Sequence, residues 1–339
     1  MRRLRFASAV LTFAALWPGS AMSQQSVEDF YRGKKIDMII GYSPGGSYDL
    51  YARLVARHIA DFIPGRPLII PRNMPGAGSR AAANWVYNVA PKDGTVLATA
   101  DQSLSLEQAV GDKRITFDTR KFIYIGNPNI ENNVTAAWHT SGIKTIDDAK
   151  KREVTVGATG GSTSSQYPKA MNALLGTKFK IVLGYPGGND VSLAMERGEV
   201  EVRGSNSWVA YKTTRPDWIT EKKINILVQV GLKKAPDLPD VPLLMDLADN
   251  DADHQLLRYL SASTNIGRPI FTAPGVPPER VEALRKAFDA MIHDPGFIDE
   301  AKRAKIDIEP TTGSDIQKVI EEVVAMPSAQ SERLKTIIE

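Results

Sequence analysis

Gly41-Tyr-Ser-Pro-Gly-Gly-Ser-Tyr-Asp49 lies between an apolar run at 36–40 and an amphipathic run that begins at Leu50. That order predicts a strand, a glycine turn and a helix N-terminus. Such a turn offers backbone N–H groups and the positive end of a helix dipole to whatever lies in front of it. Gly157-Ala-Thr-Gly-Gly-Ser-Thr-Ser-Ser165 repeats the arrangement after the apolar run 154–156. Two strand-to-helix turns rich in Gly and Ser predict a protein that holds a small anion from two sides.

Outward from these turns, strand and helix patterns alternate. Leu50, Tyr51, Leu54, Val55, Ile59 and Phe62 keep a helical apolar period, and Pro64-Gly65 ends it. Strands at 68–70 and 95–99, with an alanine-rich helix between them, complete a βαβαβ order. That order predicts a mostly parallel sheet flanked by helices. After a strand at 122–125 the pattern restarts. Strands at 134–138, 154–156, 181–183, 200–203 and 224–230 are interspersed with helices at 146–151, 167–175 and 190–197. Helices at 278–293 and 315–322 close the chain and are expected on the first lobe. The fold class is therefore α/β in two lobes with a ligand cleft between them. Residues 24–125 with 250–339 are read as lobe 1, and 126–249 as lobe 2.

Residues 1–23 read as a signal peptide. Arg2, Arg3 and Arg5 precede an apolar stretch at 6–17, and Ala21 and Ser23 supply the small residues of a cleavage site. The whole chain has 42 Lys+Arg against 39 Asp+Glu. Without the leader's three Arg the count is 39 of each, so nucleic acid loses its electrostatic support as a partner. There is no cysteine, and hence none for lipid attachment. The expectation is a soluble, monomeric protein of the periplasm, exported by the leader and not a lipoprotein.

The first turn assigns Tyr42, Ser43, Gly45, Gly46 and Ser47 to an anion. Asp49, in the first helical turn, reads either as a cap or as an acceptor facing the ligand. The second turn assigns Gly160, Gly161, Ser162, Thr163 and Ser164. It has no Lys for a nucleotide phosphate, and no Gly-x-Ser-x-Gly elbow occurs anywhere. Gly184-Tyr-Pro-Gly-Gly-Asn-Asp190 echoes the first turn; its role reads as mainly structural, with Tyr185 able to line a cleft. Asp101 and Asn206 sit just past or near strand ends. Arg203 is weighed as a carboxylate anchor against a surface ion pair with Glu201 or Glu199. His58, His139, His254 and His293 show no metal-ligand spacing. No catalytic residue, metal or cofactor is expected, and a periplasmic hydrolase built on the Ser-rich loop would lack a base.

The ordered set of motifs resembles the Bug-type extracytoplasmic receptors of tripartite tricarboxylate transporters. The carrying stretches are IIGYSPGGSYDLYARLVARHI, NMPGAGSRAAANWVYNVAPKDGTVL, VTVGATGGSTSS, VLGYPGGNDVSLAMERGEVE, APDLPDVPLL and TAPGVPPERVEALRKAF. They cover nearly all of the chain beyond the leader. The resemblance implies a two-lobed, type II-like periplasmic-binding-protein fold closing on a small carboxylate. It also implies that 43–49 and 160–164 grip that carboxylate, and that permease subunits of the membrane are transient partners. Family ligands include di- and tricarboxylates, amino acids and aromatic acids. A sensing receptor would share the same pocket. Tyr42-Ser43, Gly160-Gly-Ser-Thr-Ser164 and the stretch VRGSNSW depart from the family's usual residues, so the distal half of the pocket stays open.

Overall fold

A computed structural model describes residues 25–130 and 132–338; the expected signal peptide lies outside them. Two sheets form two lobes. In the first, β1 (Lys35–Ile40) is central, pairing in parallel with β2 (Leu68–Asn73) and with β3 (Val96–Thr99). Beyond β3 the order runs to β10 (Ile270–Thr272), β4 (Ile123–Asn127) and β11 (Thr311–Thr312), all antiparallel to their neighbours. The second sheet has the order β7 (Phe179–Val182), β6 (Val154–Gly157), β8 (Val202–Ser207), β5 (Asn133–Trp138), β9 (Ile224–Val230). Only β6 pairs in parallel there, with β7 and β8.

The two-lobed α/β architecture is the expected one, but both sheets are mixed rather than mostly parallel. The cause is the return path: β5 and β10, the first strands after each passage between lobes, run against the direction of the βαβ units.

Helices cover both faces of each sheet. Ile36, Met38 and Ile40 of β1 pack with Leu54 and Phe288 on one side, while Ile39 packs with Val86 and Phe271 on the other. That is why 36–40 is apolar at every position but Asp37, which pairs with Arg72 at the surface. In the second lobe Val154, Val156 and Val202 join Tyr167 and Met171, and Val134 joins Met195 and Trp218.

Two helices pack differently from the sequence reading. Asp251–Ala262 puts Leu256, Leu257 and Leu260 into the core of the second sheet. The last helix, Ser328–Ile338, lays Leu334 and Ile338 on the same core, and Lys169 Nζ donates to the Ile338 carbonyl at 2.6 Å. The second passage between lobes therefore follows residue 262, and the chain ends against the second lobe. Helix 313–324, by contrast, serves the first lobe through Ile316 and Ile320.

Candidate functional site

The cleft between the lobes has a volume of about 510 Å³, counting its open mouth. Three helices begin there. Ser47–His58 starts from Gly46, Thr163–Leu175 from Ser162, and Gly188–Glu196 from Gly187. Gly46, Ser47, Thr163 and Gly188 line the cleft, so the positive ends of all three helix dipoles point at one volume. Gly46 and Gly187 offer no side-chain cap, which leaves their helices' first N–H groups to a ligand or water. Ser162 does cap: its Oγ accepts from Ser164 N at 3.3 Å.

The second turn builds a knot of hydroxyls. Ser162 Oγ lies 2.8 Å from Ser164 Oγ, and Thr159 Oγ1 lies 3.0 and 3.2 Å from the two. All three line the cleft. Other polar groups there are unspent. Among the described residues, the side-chain oxygens of Ser47, Thr163 and Ser205 make no hydrogen bond within the protein, though Ser47 and Ser205 are buried at 8% and 6% exposure. The three hydroxyl oxygens reach the cleft, where water or a ligand can bond them.

Three charged side chains line the same volume: Asp101, Arg203 and Arg268. Asp101 is well satisfied. Its Oδ2 accepts from the Tyr42 hydroxyl at 2.5 Å, and its Oδ1 from Ser103 N and Oγ at 2.9 and 2.6 Å. Burial, then the Asp101 charge, pushes the Tyr42 phenol well above its ordinary pKa, so it stays a donor. Arg268 donates to Gln102 Oε1 at 3.0 Å and sits 4.6 Å above the Tyr48 ring.

Arg203 is the unusual member. It stands in β8 opposite Gly157 of β6 and Ala136 of β5, two small neighbours that leave room for its side chain. It is only 8% exposed. Nε donates to the Ser205 carbonyl at 3.2 Å and Nη1 to Ser192 Oγ at 2.9 Å. Among the described residues no carboxylate reaches ion-pair distance. The surface pairs weighed from sequence do not form: Glu201 binds Arg152 at 2.6 Å and Glu199 faces Arg197 at 3.7 Å. Burial lowers the guanidinium's pKa; the Tyr211 ring opposes that and the Arg215 charge adds to it.

Of the residues singled out from sequence, Tyr42, Gly46, Ser47, Asp101, Ser162, Thr163, Ser164 and Asn206 line the cleft. The others stand behind or beside it. Asp49 accepts from Gly45 N at 3.0 Å, from Arg53 Nε at 2.8 Å and from Asn73 Nδ2 at 2.8 Å, bracing the turn from within its own lobe. Ser43 and Gly45 face the third glycine turn, and Tyr185 packs into the second lobe's core. Gly160 and Gly161 abut the 75–79 loop; a side chain at Gly160, whose φ is +126°, would press on Gly78 N. The first turn thus meets 184–190 and the second meets 75–79, rather than each other. Tyr48, Asn133, Thr159, Gly188, Val191, Ser207 and Arg268 line the cleft without having been assigned to it.

Direct bonds hold the lobes together: Ser43 Oγ to Asp190 Oδ2 at 2.6 Å, Gln166 Nε2 to Glu107 Oε1 at 3.2 Å, and Lys212 Nζ to Asp307 Oδ2 at 2.7 Å. The structure is of closed lobes. No group of three or more His, Cys, Asp or Glu suited to a metal ion occurs among the described residues.

No protein-family model matches the chain. It is 26% identical over 300 residues to the UPF0065 protein in the gbd 5' region of Cupriavidus necator, covering 86% of this chain and 84% of that one. The solved periplasmic binding protein BugD superposes with a TM-score of 0.72 at 18% identity, over 91% of this chain and 99% of that one. MatC from Rhodopseudomonas palustris with bound malate superposes with a TM-score of 0.70 at 18% identity, over 89% and 99%. The resemblance to Bug-type receptors therefore extends from the order of motifs to the two-lobed fold.

Proposed function

We propose that this chain is a periplasmic solute receptor that closes its lobes on a small carboxylate and hands it to the membrane subunits of a tripartite transporter. One observation carries the reading: three helix N-termini, two of them without a side-chain cap, and a buried Arg203 without a carboxylate partner border one cleft between closed lobes. Such a site is electrostatically incomplete until an anion enters. The fold shared with BugD and with malate-bound MatC supports it. No histidine lines the cleft beside the hydroxyl knot to act as a base, which supports binding over hydrolysis. The chain acts as a monomeric binding protein, with lobes 24–125 plus 250–339 and 126–249 as its moving parts, adjusted for the two helices that pack on the second lobe.

Calorimetric titration of a small-acid panel tests the reading. At least one carboxylate should bind in the micromolar range and raise Tm. If no acid does either, the receptor assignment fails. Native mass spectrometry of protein purified without refolding would identify a retained ligand by mass.

A further inference from the structure

The cleft is not uniform in charge. At the first and second turns the ligand meets N–H groups and hydroxyls, which suit one carboxylate. At the third turn it meets a full charge. Gly188 is the first residue of its helix, and a side chain there would collide with Arg203 Nη2. The guanidinium therefore sits in the space that glycine leaves, directly against the positive end of the Gly188–Glu196 helix. A cation at a helix N-terminus is unfavourable. Arg215 adds a second positive charge to Arg203's surroundings, and no carboxylate pairs with Arg203 itself, Asp190 of the helix's first turn bonding Ser43 and Glu196 lying beside Arg215. On the far side Asp101 turns its oxygens to Tyr42 and Ser103 and makes no ion pair with Arg203.

We propose that Arg203 is the specificity-determining residue of this cleft, and that it receives a second oxyanion of the ligand. The preferred ligand is then a compact dianion: one carboxylate on the turns at 46–47 and 162–164, and a second carboxylate or sulfonate on Arg203 and the Gly188 helix end. Planar, forked donors match such groups in a way a lysine does not. This rests on the carboxylate-receptor reading and narrows it. It predicts discrimination by the number of anionic ends, with Arg203 as its source.

The test compares matched acids on the unmodified protein and on Arg203→Gln by calorimetry. Butanoate is set against succinate and 4-sulfobutanoate, and pentanoate against glutarate. The unmodified protein should bind at least one dianion about 10- to 100-fold tighter than its monoanion partner, the range a charge-assisted contact supplies. Arg203→Gln should lose the preference, its affinity for the dianion falling about 10- to 100-fold further than its affinity for the monoanion. Equal binding of mono- and dianions by the unmodified protein overturns the inference and leaves the receptor reading intact. Binding of no acid at all overturns both. Should Arg203→Gln fold poorly, Arg203→Lys replaces it: reduced but retained preference supports the proposal, and an unchanged preference refutes it. Carboxylate and sulfonate arms tell which oxyanion the guanidinium prefers.

Discussion

Ser43 of the first lobe donates a 2.6 Å hydrogen bond across the cleft to the Asp190 carboxylate of the second. Ser43 also uses its backbone N–H on the Pro186 carbonyl at 3.4 Å. The two glycine turns thus bond to each other by side chain and main chain at once. This contact exists only when the lobes are closed, so it stabilises the closed state whatever the ligand. Closure energy that comes from the protein itself adds to apparent affinity, because the competent state is already populated.

Ser43→Ala should therefore open the resting protein. A charge-assisted bond at a partly exposed site contributes on the order of 1 kcal/mol, so affinity for any ligand should fall about three- to tenfold. The loss should be the same for every acid tested, since neither Ser43 nor Asp190 lines the cleft. Small-angle scattering of the ligand-free variant should give a larger radius of gyration than the parent. An unchanged radius together with unchanged affinity would mean that other bonds hold the lobes shut.

Ser47 and Ser162 line the same cleft but should fail differently. The Ser47 hydroxyl bonds nothing in the protein, whereas Ser162 caps its helix and anchors the hydroxyl knot. Ser47→Ala should weaken ligand binding about 10- to 100-fold and leave Tm unchanged, as one lost hydrogen bond to a charged group predicts. Ser162→Ala should weaken binding and also cost about 1 kcal/mol of stability for the lost cap. Thermal unfolding and calorimetry on the two variants separate these effects. A drop in Tm for Ser47→Ala would show that its hydroxyl serves the fold.

These two serines were legible because their signal is local. Strand, glycine turn and helix start lie within a dozen residues, and that is enough to place Gly46, Ser47 and 162–164 at a helix N-terminus. Arg203 was visible only as an option. Its burial depends on Gly157 and Ala136 lying opposite it in neighbouring strands, and on Gly188 leaving space, none of which is adjacent in sequence. Arg268 gave no signal at all. It precedes β10, whose antiparallel insertion between β3 and β4 brings it beside Tyr48 and Gln102. Asp49 shows the converse. It has the right type and position for a ligand acceptor, but Gly45, Arg53 and Asn73 consume its oxygens. The same return strands explain why the sheets are mixed, since short antiparallel entries carry no pattern that distinguishes them from parallel ones.

Gly188→Ala tests the fit between a helix start and a guanidinium. Alanine favours a helix more than glycine does, so the change alone should be mildly stabilising. Here the added methyl group meets Arg203 Nη2. The guanidinium must shift, and overpacking of a buried site costs about 1–3 kcal/mol. The expected result is a lower Tm and weaker ligand binding together. In an Arg203→Gln background the steric conflict is removed, so the same Gly188→Ala change should lose most of its penalty. Additive losses in the double variant would show that the two residues do not share this space.

Glu107 should make stability depend on pH near neutrality. It is 2% exposed, lies 3.1 Å from Arg80 Nη1 and accepts from Gln166 of the other lobe. Burial pushes its carboxyl up to about 8; Arg80 pulls it back, while the Asp101 and Asp112 charges push it further up. An unfolded glutamate titrates at about 4.3. Between these two values the folded protein keeps a proton that the unfolded chain has released. Stability from this group is therefore fully present below about pH 4.3 and is lost as pH rises through about 8. Glu107→Gln keeps the shape and removes the titration, and Asp112 still holds Arg80 at 3.1 Å. The variant and the parent should match near pH 4, and the variant should become the more stable by well over about 1 kcal/mol at pH 8. Urea unfolding at both pH values measures the difference. A constant gap between the two proteins at both pH values would mean that Arg80 keeps the carboxylate ionised throughout.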